Sequence, residues 1–246
     1  MSKNYELLRE TGKDLEVFHT DIPGPSAVST PPAQLNGGRR VREEILRLVQ
    51  RTFLTGAPGA PHFVVFTAVD HGNGCSWVCA RAAEALAAHV EGTVCVVEAS
   101  VRTQSLHRYF GVSKGSTLAD AMQQRGEMQK LAQSIRGTNL WLMPGEALLT
   151  NGGTALSIEQ LRQRFGELCS AFSYVLVDAP PTKECAESLT YGRLADGVVL
   201  VLEAHATRRE AARKVKESLE DANVRLLGVV LNKRTFPIPE ALYSRI

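Results

Sequence analysis

No apolar stretch in the 246-residue chain reaches the roughly 18 residues a membrane span needs. Met1-Ser-Lys-Asn-Tyr-Glu lacks the charged-then-apolar order of a secretory leader. An excess of one charge sign is missing too. Twenty-eight Lys and Arg against 26 Asp and Glu leave a formal net charge of +2, so no electrostatic case for nucleic acid exists. The five cysteines are odd in number and lie largely in core-like segments, which argues against a disulfide framework and for a reducing cytoplasm. No Cys/His cluster has metal-ligand spacing, and no internal repeat is evident. What is present is 44% hydrophobic and 22% charged sequence, enough for one globular domain with an extension.

Pro, Gly and Ser crowd residues 21–38, which read as a linker after a polar segment with one short helix around Tyr5 to Val17. The expected organisation is an extension over 1–38 and a domain over 39–246. Val41, Ile45, Leu48, Val49 and Phe53 fall on one face of a helix over Arg39 to Leu54. From Phe63 onward strand-like and helix-like runs alternate. Strands are expected at 63–68, 93–98, 140–143, 174–178, 197–202 and 226–231. They are continuous apolar runs, as expected of strands covered on both faces. Helices are expected over Ser76 to Val90, after Ser157-Ile-Glu-Gln160, and after Thr207-Arg-Arg-Glu210, the last two opening on capping-box patterns. The βαβα order implies an α/β fold, a mostly parallel sheet flanked by helices on both faces. Ligands bind such sheets beyond the carboxyl ends of the strands.

At one of those ends stands a phosphate-binding loop without its lysine. Phe63-Val-Val-Phe-Thr-Ala-Val-Asp-His-Gly72-Asn-Gly74-Cys75-Ser76-Trp77 has the strand, the glycine turn and the helix start, but Cys75 occupies the lysine position. Ser76 either binds Mg²⁺ or caps the helix, and capping is the simpler role. Cys75 and Cys79 share a helical face and read as small buried residues. A thiol at a helix N-terminus can also have a lowered pKa, which would make Cys75 reactive. Cys75 to Arg81 spells the Cys-x5-Arg spacing of a phosphatase loop, but a helix already running through Ser76 to Arg81 leaves no cradle.

These motifs resemble, from about Arg39 to Lys233, the cytoplasmic P-loop domain of bacterial tyrosine kinases of capsule and exopolysaccharide assembly, relatives of the MinD/ParA ATPases. The resemblance rests on five landmarks in order: Glu43-Glu44-Ile-Leu-Arg47, Gly72-Asn-Gly74, Val96-Val-Glu98-Ala-Ser100-Val-Arg102-Thr-Gln-Ser105-Leu-His107, Tyr174-Val-Leu-Val-Asp178-Ala-Pro-Pro181 and Leu227-Gly-Val-Val-Leu-Asn232-Lys. It implies a three-layer P-loop NTPase-like fold and ATP or ADP with Mg²⁺ as ligands. Gly72, Asn73, Gly74, Cys75, Ser76, Trp77 and Asn232 would bind nucleotide, with Asn232 reading adenine. Ser76 and Asp178 would hold the metal, and Asp178 and Glu98 would be the catalytic carboxylates. It also implies a membrane chain-length or export protein as partner, self-association, and Glu44, Arg47 and Arg102 as contact residues.

The departures fall on the chemistry. The loop lysine is Cys75, the second Walker motif has Glu98 and Ser100 in place of two aspartates, Trp77 replaces a small Thr, and the tyrosine-rich tail is reduced to Tyr243. Gln50 replaces the last Arg of the family's oligomerisation pattern. Phosphoryl transfer depends on positioned charge, and losing one electrostatic donor commonly costs about 10²–10³ in rate. Little or no kinase activity is therefore expected. The residues leave three functions open: a regulator or scaffold of polysaccharide export, an ATP-binding protein with residual ATPase or autokinase activity, and a MinD/ParA-like positioning protein.

Overall fold

The computed structural model describes residues 17–19, 38–100, 105–112, 117–123, 127–145, 157–183 and 185–234. The strands are Val17–His19 (β1), Phe63–Ala68 (β2), Val94–Glu98 (β3), Gln133–Ser134 (β4), Leu140–Met143 (β5), Tyr174–Asp178 (β6), Gly197–Glu203 (β7) and Leu226–Asn232 (β8). They form one eight-stranded sheet in the order β1-β8-β7-β2-β6-β3-β5-β4. Every pairing is parallel except β4 with β5.

The principal helices are Arg39–Thr52 (α1), Cys75–Ala87 (α2), Leu106–Phe110 (α3), Leu118–Gln123 (α4), Met128–Leu131 (α5), Ile158–Ala171 (α6), Glu187–Leu194 (α7) and Arg209–Asp221 (α8). Side chains alternate across the sheet, so each central strand feeds both faces. Phe63, Val65, Cys95, Val97, Val175, Val177, Val198 and Leu200 face α6, α7 and α8, meeting Leu161, Phe165, Tyr191 and Leu219. Val64, Phe66, Val94, Val96, Leu176, Val199 and Val201 face α1 and α2, meeting Leu48, Val49, Val78, Ala82 and Leu86. Both faces are therefore apolar and covered, which is why the strands read as unbroken apolar runs. None of the described helices is long and apolar enough to cross a membrane.

The expected strands and the α1 face are found at or within a residue of their places. Two local expectations need correction. Val17, taken as the end of a helix from Tyr5, begins β1, which pairs with β8 through Val17 and Val229; the rest of that segment lies outside the described residues. The Thr207 capping box does not form, because the Thr207 hydroxyl accepts the Glu203 N–H at 2.9 Å and closes the turn after β7 instead. Arg208 takes the cap position with no side-chain cap bond. The Ser157 box does form, with Gln160 N–H on the Ser157 hydroxyl and Ser157 N–H on the Gln160 side chain.

Replacing Ser157 with alanine is expected to lower stability by about 1 kcal/mol. Urea unfolding of the variant checks this, and an unchanged midpoint would remove the box from the account of α6.

Candidate functional site

Because the central strands run parallel, Ala68, Glu98, Asp178, Glu203 and Asn232 all end at one edge of the sheet. The loop from β2 to α2 lies there. Asp70 N–H donates to Asn73 Oδ1 at 3.0 Å, folding the turn back on itself, and Asn73 is buried. Gly72 and Gly74 take φ of 82° and 85°. Gly74 is the cap of α2, in the left-handed region and with no side-chain cap bond. Ser76 is thus the second helical residue and does not cap the helix, contrary to the sequence reading. The left-handed Gly74 starts the helix one residue earlier, at Cys75. The positive end of the α2 dipole is left uncapped by any side chain.

β8 holds this turn in place. Asn232 Nδ2 donates to the Asn73 carbonyl at 2.8 Å, and its Oδ1 accepts the Lys233 N–H at 2.8 Å. Asn232 is 1% exposed, and a Cβ at Gly74 would overlap its side-chain nitrogen. Both ends of the amide expected to read adenine are therefore engaged inside the protein. Here Asn232 acts as a brace for the loop.

Asp178 ends β6 directly behind Cys75 and Ser76. It is 1% exposed, and neither carboxylate oxygen has a partner at hydrogen-bonding geometry. Burial pushes its pKa up to about 7; the neighbouring Ser76 hydroxyl and Cys75 thiol offset part of the rise, and the Glu98 charge adds to it. The alternative of a low-pKa, reactive Cys75 is not supported. Burial raises its thiol well above the ordinary value, and Asp178 and Cys79 raise it further. Desolvation and a carboxylate neighbour outweigh the helix dipole, which acts from one side only. Cys79 is fully buried, as expected, and Ser76 to Arg81 are helical, so the phosphatase spacing has no cradle.

Glu98 is also buried, but its carboxylate is occupied. Oε1 accepts the Leu106 N–H at 2.7 Å in the first turn of α3. Oε2 accepts the Gly145 N–H at 3.3 Å and lies 3.4 Å from His107 Nδ1. This carboxylate ties α3 and the end of β5 to β3 and is not free for metal or substrate. Ser100 is buried at 4% exposure and brings no carboxylate. Trp77 packs half-buried on the α1/α2 face, with Arg81 5.8 Å over its ring and Arg81 bound to Glu84 at 2.7 Å. Glu44 and Arg47 pair with each other on α1 at 2.7 Å. Arg102 and Tyr243 lie outside the described residues.

Two cations lie beside the loop, Lys183 with no motif to announce it and Lys233 at the end of the Asn232 landmark. Lys183 pairs with Asp70 at 2.9 Å. Lys233 pairs with Glu203 at 3.1 Å, and Glu203 also takes a 3.4 Å contact from Asn73 Nδ2. The only sequence signal for Lys183 is that it follows the Asp178 motif closely. No group of three or more His, Cys, Asp or Glu that could hold a metal occurs among the described residues.

No protein-family profile matches the chain. Tyrosine-protein kinase YwqD of Bacillus subtilis strain 168 is 27% identical over 169 residues, 69% of this chain and 71% of that protein. The homologues are bacterial tyrosine kinases. The kinase domain of Escherichia coli tyrosine kinase ETK superposes with a TM-score of 0.77 at 17% identity, covering 98% of this chain and 99% of that one. MinD in the MinC:MinD complex of Aquifex aeolicus gives 0.60 at 21% identity over 75% and 72% of the two chains. The P-loop NTPase-like fold and the kinase resemblance both stand.

Asp178 makes stability pH-dependent. Between about pH 4 and pH 7 the folded chain keeps a proton that an unfolded aspartate releases near 3.9, so stability falls as pH rises through that window. Asp178→Asn removes the fall and should be more stable than the parent at pH 8, by on the order of 4 kcal/mol, while the two converge only below about pH 4. Urea unfolding at both pH values reads this, and equal midpoints at pH 8 would refute it. Thiol reagents should modify Cys75 more slowly than free cysteine between about pH 6 and 8, as followed by mass spectrometry; faster modification would show an activated thiolate.

Proposed function

We propose that this chain is a tyrosine-kinase-like P-loop protein that no longer transfers phosphoryl groups and serves exopolysaccharide assembly as a cytoplasmic regulator or scaffold. Its working unit is residues 39–246, and it is held near the membrane by a chain-length or export protein. One observation carries this reading. The cradle is built and braced, while three of the charged groups that transfer needs are replaced or diverted and only Asp178 is kept: Cys75 for the lysine, Ser100 for a carboxylate, and Glu98 bound to backbone donors.

The residues present fit a bound nucleotide better than they fit its reaction. A glycine turn at a helix N-terminus suits phosphate. Mg²⁺ is commonly held by one or two carboxylates plus phosphate oxygens and water, and the unpartnered Asp178 beside Ser76 matches that demand. When bound, ATP·Mg²⁺ would supply the transferable phosphoryl group; position 75 itself offers no cation to its developing charge. The same Asp178 favours a second reading, in which the chain still hydrolyses ATP slowly.

Incubation of the chain with ATP and Mg²⁺ is expected to give no phosphotyrosine and at most trace phosphate release. Deleting the gene in its host should reduce secreted polysaccharide, and a Cys75→Ala, Asp178→Ala form should restore it. Autophosphorylation of the parent, or failure of a folded double variant to restore secretion, would overturn the proposal. Turnover lost with Asp178→Ala would favour the hydrolytic reading.

A further inference from the structure

We propose that Lys183 replaces the missing loop lysine: with a nucleoside diphosphate in the cradle, its ammonium turns from Asp70 onto the terminal phosphate. This rests on the reading above that the cradle still takes nucleotide.

Lys183 stands where it does because the segment after β6 is pinned to the chain leading into the loop. Ala179 N–H donates to the Phe66 carbonyl and Thr182 N–H to the Ala68 carbonyl, both at 2.9 Å. The Thr67 hydroxyl donates to the Pro180 carbonyl at 2.7 Å. These bonds carry residues 179–183 alongside 66–70, and the Lys183 ammonium reaches Asp70 Oδ1 at 2.9 Å. Asp70 is also the residue whose N–H closes the loop on Asn73. The ammonium therefore lies at the rim of the turn, on the β6 side, whereas a lysine at position 75 would have come from α2.

The ion pair is built to exchange. Its side chains are 63% and 41% exposed, and a solvated pair of this kind contributes about 0–1 kcal/mol. A flexible four-carbon stem lets the ammonium leave Asp70 without moving backbone, and a terminal phosphate, with about −1.5 to −2 charges and three acceptor oxygens, attracts it more than one carboxylate does. The other nearby cations are less available. Lys233 is 24% exposed and neutralises an equally enclosed Glu203 that also contacts Asn73. Arg81 is held by Trp77 and Glu84. That the site is made for a ligand is indicated separately by Asp178, buried, unpartnered and facing the first turn of the 13-residue α2.

Calorimetry of Mg²⁺–ADP and AMP with the full chain tests the assignment, using Lys183→Met, Asp70→Asn and the double variant. Lys183→Met is expected to weaken ADP binding by on the order of 10- to 100-fold, the value of a charge-assisted bond, and to leave AMP unchanged. Asp70→Asn should tighten ADP by removing the competing carboxylate. In that background Lys183→Met should still cost at least as much. If its effect vanishes there, Lys183 only neutralises Asp70 and the proposal is wrong. If the parent binds ADP and Lys183→Met binds it equally, the proposal fails while the nucleotide reading survives; if the parent binds no ADP, both fall. Both positions are solvent-exposed, so the variants should keep the parent's thermal midpoint, and a drop in binding without that drop in midpoint is the supporting result.

Discussion

The parallel hydrogen-bonded register of β2, β3, β6, β7 and β8 is the constraint from which the site follows. It brings five strand ends to one edge and sets Glu98 beside Asp178 and Glu203 beside Asn232. The ladder continues past the strands, with Ala99 N–H on the Asp178 carbonyl, Ala179 N–H on Phe66 and Ala204 N–H on Asn232. With both faces buried, a one-residue slip would turn every apolar side chain of a strand to the opposite layer. Core packing thus fixes the positions of the polar residues at the edge, and the loop is placed by the sheet rather than by its own composition.

At that edge the decisive effect is the cost of burying charge without a counter-charge. Asp178 lies in the interior with no cation at position 75, and its carboxyl moves up to about 7. Cys75 moves in the same direction because burial disfavours its thiolate and the Asp178 charge adds to that. One pKa unit corresponds to about 1.36 kcal/mol, so these are large effects on the scale of a domain's stability. Around position 75 the loop offers a helix dipole and acids that burial makes reluctant to ionise, rather than a fixed positive charge. Its remaining full positive charges sit at the rim.

Six of the eight strands were legible in the sequence because their continuous Val, Leu and Phe runs are short and suit a sheet covered on both faces, and each of the six reproduces its run to within a residue. The Ser157 box was legible because its donors and acceptors are three residues apart. Failures came where the deciding partner is remote. Cys75 looked open to activation from its place on the helix alone, but burial beside Asp178 on β6 decides otherwise. Ser76 looked like a cap because the left-handed Gly74 is a backbone choice that glycine permits and does not announce. Glu98 looked catalytic, yet its partners are Leu106 and Gly145, and the latter is 47 positions away. Lys183 escaped notice because an ion pair to Asp70 leaves no pattern in one dimension.

The Glu98 clamp also limits what position 98 can become. Gly145 approaches so closely that any Cβ there would overlap the Glu98 carbonyl, and the same side chain anchors the start of α3. A shorter aspartate at 98 would withdraw its oxygens from two backbone donors at once, leaving buried amides unmet. Freeing an acid at this strand end would need the neighbouring segments to change in step. The clamp works as a lock: with α3 and the end of β5 leaning on the longer carboxylate, no single substitution at position 98 releases it without stranding the amides it holds.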